Sequence, residues 1–383
     1  MAEREILFKS AQLGGQSLAN RIVHPPLTRS RATALGVPTD LMAEYYRQRA
    51  SAGLVIVEGT VVLPQATAYA CVPGLYSEEQ VDAWRPVVQA AGSEGNPVYC
   101  QLWHVGRQSH SSVQPLGQLP KAPSPVPITG YTYRGANGRI PYETPEELSR
   151  LEISEIIQAF ADAAKNAVRA GFDGIELHGA NGYLIEQFLD DGINHRTDEY
   201  GGSIENRMRF MLEVIEAVCQ HLPSHRVGIR FSPSSTWMDA IDSDKLSLFS
   251  CVISKLNTLD LAYLHLIEPG IAGSTTQLTT DDPIPTSDLA ALFDGTVIVT
   301  GGLNAESAAR LIHDGVADLV GFGRDFIANP DLPSRLAAGS ALQQVSPQGL
   351  YGGSAAGYTD YPSLANLAPE NLLASANGAT DDC

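Results

Sequence analysis

Eight short, β-rich apolar runs recur along the chain with helical segments between them. They are IVH at 22–24, LVIVE at 54–58, VYCQL at 98–102, GIELH at 174–178, VGIRF at 227–231, LAYLHLI at 261–267, TVIVTG at 296–301 and LVGFG at 319–323. Runs apolar at nearly every position read as strands buried on both faces, the pattern of a parallel sheet. The connecting segments change to the helical period: Ile153, Ile156, Ile157, Phe160, Ala164 and Ala167 in one, Ile204, Met208, Met211, Leu212, Ile215 and Val218 in another. Thr39 and Asp40 read as the N-cap and first-turn acid of the helix after the first strand, and Gly53 as its stop. Eight alternating units predict an α/β fold of the (β/α)8 TIM-barrel type. The alternative is an open doubly wound sheet, but no GxGxxG follows the first strand.

A chain of 383 residues that is 44% hydrophobic can bury a large core, and no low-complexity linker divides it. The expectation is one barrel over 1–370 and a flexible tail over 371–383. The segment 105–150, long and rich in Pro, Gly and Ser, is expected to fold over the barrel as a lid. A net charge of −18 argues against nucleic acid and anionic membranes as partners, since both select a basic face. No run approaches the roughly 20 apolar residues of a membrane span, and the acidic N-terminus lacks an apolar leader, so a cytoplasmic location is expected. Cys71, Cys100, Cys219, Cys251 and Cys383 are scattered without metal or disulfide spacing and are read as reduced thiols, with no metal site.

In such barrels chemistry sits at the C-terminal ends of the strands. Polar or small residues occupy nearly every one: Thr28, Gly59, Gln101, His178 and Arg230. The last two strands end in Gly301, Gly302, Gly323 and Arg324, where exposed backbone amides suit a phosphate. Directly after His178 come Asn181 and Tyr183, three hydrogen-bonding side chains within one turn's length. Taken singly, each has a plainer explanation: a satisfied core histidine, a buried arginine ion pair, a tyrosine packed beneath a lid.

Six motifs in order change that weighting. NRIVHPPLTRSRA at 20–32, QLWHVGRQSH at 101–110, HGANGYLIEQFL at 178–189, DEYGGSIENR at 198–207, GFGRDFIANPDL at 321–332 and GYTDYP at 357–362 resemble the old yellow enzyme family of flavin-dependent ene-reductases over essentially the whole chain. Thr28, where another branch has cysteine, resembles the larger branch. The sequence departs from the family at His24 and Pro25, where an apolar residue and alanine are usual, and at Leu350, often aromatic.

The resemblance implies FMN as cofactor, held by Pro26, Leu27, Thr28, Gly59, Gln101, Arg230, Gly301, Gly302, Gly323 and Arg324. Their chemistry suits flavin binding, because Arg230 is a permanent cation for the ring edge that gathers negative charge, and Gln101 can donate and accept beside it. His178 and Asn181 would bind the carbonyl or nitro oxygen of a conjugated alkene, and Tyr183 would protonate the α-carbon. An unperturbed tyrosine, with pKa about 10, keeps its proton for that step at neutral pH. Tyr69, Trp103 and Tyr351 would line the substrate pocket.

The expected function is therefore an NAD(P)H-dependent ene-reductase working by a ping-pong mechanism on α,β-unsaturated carbonyl or nitro compounds. Two rivals stand beside it. A hydroxy-acid oxidase on the same fold would need a base to take a substrate proton, and a non-catalytic flavin-binding barrel would not need an intact His178, Asn181 and Tyr183 set.

Overall fold

The computed structural model describes residues 2–133, 138–273, 275–278 and 280–366. Eight parallel strands close into a barrel: β1 (Ile22–His24), β2 (Leu54–Val61), β3 (Val98–Trp103), β4 (Gly174–His178), β5 (Val227–Phe231), β6 (Tyr263–Ile267), β7 (Val297–Thr300) and β8 (Leu319–Gly321). Each pairs with the next in the chain, and β8 pairs back onto β1. The principal helices that follow them are α1 (Asp40–Arg47), α2 (Glu78–Ala91), α3 (Arg150–Ala170), α4 (Arg209–Val218), α5 (Lys245–Leu256), α6 (Thr286–Ala290), α7 (Ala305–His313) and α8 (Leu332–Ala338). The sequence expectation of a (β/α)8 barrel holds.

Three helix starts carry reciprocal caps. Ser77 and Gln80 close α2, Ser149 and Glu152 close α3, and Asn304 and Ser307 close α7. Thr39 does sit at the N-cap of α1, but its hydroxyl donates to the Arg31 carbonyl at 2.9 Å instead of capping the helix. Gly53 does not stop α1, which ends at Arg47. It leads into β2, where a Cβ would lie 2.0 Å from the Asn20 carbonyl oxygen. The helix expected from Ile204 to Val218 is broken at Met208 into Ile204–Arg207 and α4.

The core has two parts. The outer faces of the strands pack against the helices in one large cluster, while Leu13, Leu18, Val23, Leu54, Ile56, Tyr99, Tyr263, Ile298 and Leu319 form a second cluster inside the barrel. Leu13 and Leu18 belong to an antiparallel hairpin, Ala11–Leu13 with Gln16–Leu18, which packs into the N-terminal end of the barrel. The interior alternates large with small. Tyr99 of β3 faces Gly174 of β4, and Tyr263 of β6 faces Gly228 of β5; a Cβ on those glycines would sit 2.4 Å and 2.2 Å from the rings.

The segment expected as a lid is built from short pieces: Lys121–Ala122 bridges to Glu146–Glu147, and Tyr131–Tyr133 pairs with Arg139–Pro141. Cys71, Cys100, Cys219 and Cys251 are free thiols, while Cys383 and the tail expected over 371–383 lie outside the described residues. Among the described residues no helix is long and apolar enough to cross a membrane, and no cluster of His, Cys, Asp and Glu could hold a metal.

Gly228→Ala should overpack the interior against Tyr263 and cost about 1–3 kcal/mol or more. Denaturant titration should show a clear loss of stability; a midpoint equal to that of the wild type would contradict this account of the interior.

Candidate active site

At the end of β1 the chain leaves the barrel wall through Pro25 and Pro26 and is caught by a buried carboxylate. Glu58 of β2 accepts from the amides of Arg29 at 3.0 Å and Ser30 at 3.4 Å, and from the Tyr46 hydroxyl at 3.4 Å. Burial pushes its pKa up to about 7, although the hydrogen bond and charge of Arg29 oppose the rise. Pro26, Leu27 and Thr28 are thereby fixed on the rim. Thr28 is half-buried, and its hydroxyl has no protein hydrogen bond among the described residues.

Arg29 and Arg31 then bind the C-terminal loop. Arg29 donates to the carbonyls of Leu350 at 2.9 Å and Gly357 at 2.7 Å, and Arg31 to that of Gly349 at 2.6 Å. Tyr358 of this loop stacks on Tyr45 of α1 with centroids 4.2 Å apart. The pair is flanked by Arg49, 3.6 Å from the Tyr45 centroid, and Arg31, 4.4 Å from the Tyr358 centroid. Tyr351 rides on the anchored loop but remains 59% exposed, unlike the other aromatic residues expected at the pocket.

The floor is a polar layer inside the barrel. Glu176 of β4 accepts from Gln101 Nε2 of β3 at 2.8 Å and lies 2.7 Å from His265 Nδ1 of β6. Burial alone would raise the Glu176 carboxyl, but His265 and Arg230 hold it below its ordinary value. Arg230 of β5 is buried, and its Nε has no partner. Gln101 donates one Nε2 hydrogen to Glu176, which leaves its second N–H and its carbonyl oxygen without a protein partner among the described residues.

His178, the last residue of β4, packs with Trp103 and Tyr183. Centroid separations are 6.2 Å for Trp103–His178 and 4.9 Å for both Trp103–Tyr183 and His178–Tyr183, and Tyr69 lies 6.0 Å from Trp103. Burial, then Arg230 and His265, lower the His178 pKa far enough that the ring is neutral. Its Nδ1 accepts from the Ala180 amide at 3.3 Å, which puts the proton on Nε2. Asn181 adopts φ +58° and its Oδ1 is buried without a partner. Tyr183 differs from the sequence expectation of an unperturbed hydroxyl. Burial and its interaction with Tyr69 push it well above 10, and Tyr69 itself is pushed up to about 12, chiefly by burial. Both keep their protons across the physiological range.

Gly59 lies at the register shift between β2 and β3, and a Cβ there would sit 2.6 Å from Trp103 Cε3. Its absence lets the indole lie against the strand, a packing reason independent of any ligand. Past β7 and β8, Gly301 at φ +130° and Gly302 at φ +65° turn the chain. Gly323 opens a short helix, Gly323–Ala328, with a Cβ position only 3.3 Å from Leu27. Arg324 is exposed and donates to Thr276 Oγ1 at 2.5 Å.

Sequence reading missed Glu58, Glu176, His265 and Tyr142. The first three were visible as charged or imidazole residues inside apolar strands, where each demands a partner. Tyr142 had no such signal: it arrives from the segment after β3, where its hydroxyl donates to Met238 Sδ at 3.6 Å and it adds to the upward pKa shifts of Tyr69 and Tyr183.

Between pH about 4.5 and 7 the native protein holds a proton on Glu58 that the unfolded chain has released, so this group lowers stability as pH rises. Glu58→Gln should remove that slope and gain on the wild type by roughly 3 kcal/mol between pH 4.5 and 8. Denaturant titrations at both pH values check it; parallel losses in the two proteins would contradict it.

Residues 6–343 match the family model described as NADH:flavin oxidoreductase / NADH oxidase. A putative 12-oxophytodienoate reductase 4 of Oryza sativa subsp. japonica is 43% identical over 362 residues, covering 94% of this chain and 93% of that protein. A probable flavin mononucleotide-dependent alkene reductase of Leishmania infantum is 40% identical over 366 residues, covering 94% and 98%. Among solved structures, morphinone reductase in complex with tetrahydroNAD superposes with a TM-score of 0.86 at 43% identity, covering 94% of this chain and 97% of that one.

Proposed function

The chain belongs to the NADH:flavin oxidoreductase / NADH oxidase family, the old yellow enzyme family, and from that premise we propose that it reduces the activated C=C bond of α,β-unsaturated carbonyl or nitro compounds. It is an NAD(P)H-dependent flavin oxidoreductase with FMN as cofactor. The observation that carries the finer reading is the triad at the end of β4. His178 with its proton on Nε2 and Tyr183 with a retained proton pack together against Trp103, and Asn181, whose buried Oδ1 has no partner, sits in the turn between them.

The residues present fit FMN. Arg230 Nε is buried without a partner, Gln101 has its carbonyl oxygen left, and the Thr28 hydroxyl makes no protein hydrogen bond among the described residues. Pro26, Leu27, Thr28, Gly59, Gln101 and Arg230 would hold the ring system. Gly301, Gly302, Gly323 and Arg324 would hold the phosphate at the ends of the last two strands, where glycines with no side chain of their own let a ligand approach the backbone. When bound, FMN supplies the redox chemistry, taking two electrons from NAD(P)H and passing them to the alkene.

The protein's own part is polarisation and proton delivery. His178 Nε2–H and the Asn181 side-chain NH2 would donate to the substrate oxygen, where negative charge grows as the β-carbon is reduced; each such fixed donor is worth roughly 3 kcal/mol of barrier. Tyr183 would give its hydroxyl proton to the α-carbon. Its raised pKa makes it a weaker acid than a free tyrosine but guarantees the proton is present. Trp103, Tyr69 and the more exposed Tyr351 would shape the pocket, with the 105–150 segment bringing Tyr142 beside them. Because one site serves both substrates, turnover would be ping-pong. A hydroxy-acid oxidase is disfavoured, since a neutral His178 of depressed pKa and a tyrosine of raised pKa make a poor base set.

Anaerobic addition of NADPH should bleach the flavin bands of the purified protein, and 2-cyclohexenone should restore them. Bleaching without recovery on enones and nitroalkenes alike would sink the substrate assignment. Tyr183→Phe should slow the alkene step tenfold or more while NADPH still bleaches the flavin at close to the wild-type rate. Equal slowing of both steps in stopped-flow traces would remove the proton-donor role.

A further inference from the structure

The loop that carries Asn181 holds two consecutive residues in the left-handed region, Asn181 at φ +58° and Gly182 at φ +71°. Asparagine enters this region more readily than other non-glycine residues, and its surroundings decide whether it stays. The surroundings are specific. The Asn181 amide donates to Ser232 Oγ at 2.8 Å, and the Gly182 amide donates to Glu186 Oε2 at 2.6 Å. Ser232 Oγ also lies 3.3 Å from Glu186 Oε2. Since the hydroxyl already accepts from Asn181, its own hydrogen goes to the carboxylate. One carboxyl group thus gathers both amides of the turn, one directly and one through a hydroxyl. The carbonyls are held as well, that of Asn181 by Gln108 Nε2 at 2.6 Å and that of Gly182 by Gln187 Nε2 at 2.7 Å.

Neither Glu186 nor Ser232 polarises the substrate or delivers its proton. Glu186 lies in the short helix Leu184–Leu189 and is wholly buried; Ser232 follows β5, two residues beyond Arg230. The hydroxyl therefore ties the Asn181 turn to the strand that carries Arg230. Resting on the ene-reductase reading, we propose that Glu186 and Ser232 are positioning residues for the alkene step. They fix Asn181 in its left-handed conformation so that its side-chain amide meets the same substrate oxygen as His178 Nε2–H. The burden falls on geometry rather than charge. Burial pushes the Glu186 carboxyl up, with Lys245 Nζ at 3.8 Å opposing and Asp190 reinforcing the rise, so a neutral amide is a close mimic of its protonated form.

The test uses FMN-loaded Ser232→Ala, Glu186→Ala and Glu186→Gln, each reduced with dithionite and then reoxidised in single turnovers. One oxidant is 2-cyclohexenone, which needs its oxygen held; the other is ferricyanide, which takes electrons without a hydrogen-bonded oxygen. Both alanine variants should slow the cyclohexenone reaction at least tenfold and leave ferricyanide within twofold of wild type, and Glu186→Gln should recover to within threefold. Alkene rates within twofold of wild type in both alanine variants, or equal slowing of the two oxidants, would overturn the proposal. Glutamine no better than alanine would assign the effect to charge and overturn the geometric role. Should Glu186→Ala fail to keep its flavin, Ser232→Ala decides alone. A wild-type protein reoxidised by ferricyanide but not by the alkene overturns the ene-reductase reading, and this proposal with it.

Discussion

The buried carboxylate of Glu176 is the constraint on which the mouth of this barrel depends. A carboxylate inside a closed barrel is tolerable only if its charge is balanced and its lone pairs are filled. Gln101 fills one from the adjacent strand β3 and His265 another from β6, two strands away across the interior, and Arg230 of the adjacent strand β5 adds balancing charge. Each partner is then fixed by meeting that demand. Gln101 must turn its nitrogen to Glu176 and keep its oxygen for something else. Arg230 is retained in the interior as a cation, which helps hold the neighbouring His178 neutral. The same low dielectric that makes the layer costly makes its fields strong where a ligand would lie.

Above that layer the rim is assembled by the same logic, with backbone groups as clients. Glu58 collects the amides of Arg29 and Ser30, and Glu186 collects that of Gly182 directly and that of Asn181 through the Ser232 hydroxyl. In both cases a carboxyl group raised in pKa by burial shapes an irregular turn that regular secondary structure could not hold. The arginine and tyrosine stack of Arg49, Tyr45, Tyr358 and Arg31 then joins the far end of the chain to the first βα unit.

The alternation of strands and helices was legible because a fully buried parallel strand is apolar at most positions, and the eight runs were, with Glu58, Gln101, Glu176, Arg230 and His265 standing out within them. Their ends were less legible: β2 runs to Val61 rather than Glu58, because pairing resumes after the irregularity at Gly59. Helix boundaries erred where a local signal was used for a tertiary purpose. Thr39 serves the Arg31 carbonyl and Gly53 serves the close approach of Asn20. The grouping of His178, Asn181 and Tyr183 could be read from spacing alone, since a strand end followed by a tight turn keeps near neighbours together. Tyr142, Ser232 and the loop of Tyr351 are distant in sequence from that turn, and no local pattern announces their approach.

By itself, then, the sequence determined the barrel, the family and the side chains available at the strand ends, because these follow from periodicity and from residue identity. Only the tertiary structure decided the states of those side chains: which nitrogen of His178 carries its proton, how far Tyr183 is raised, and that Asn181 is left-handed. Those properties depend on burial and on partners such as Arg230, Tyr69 and Ser232, contributed by different strands and loops. Closing the barrel brings such groups within a few ångströms of one another, and protonation and backbone strain are set at that range.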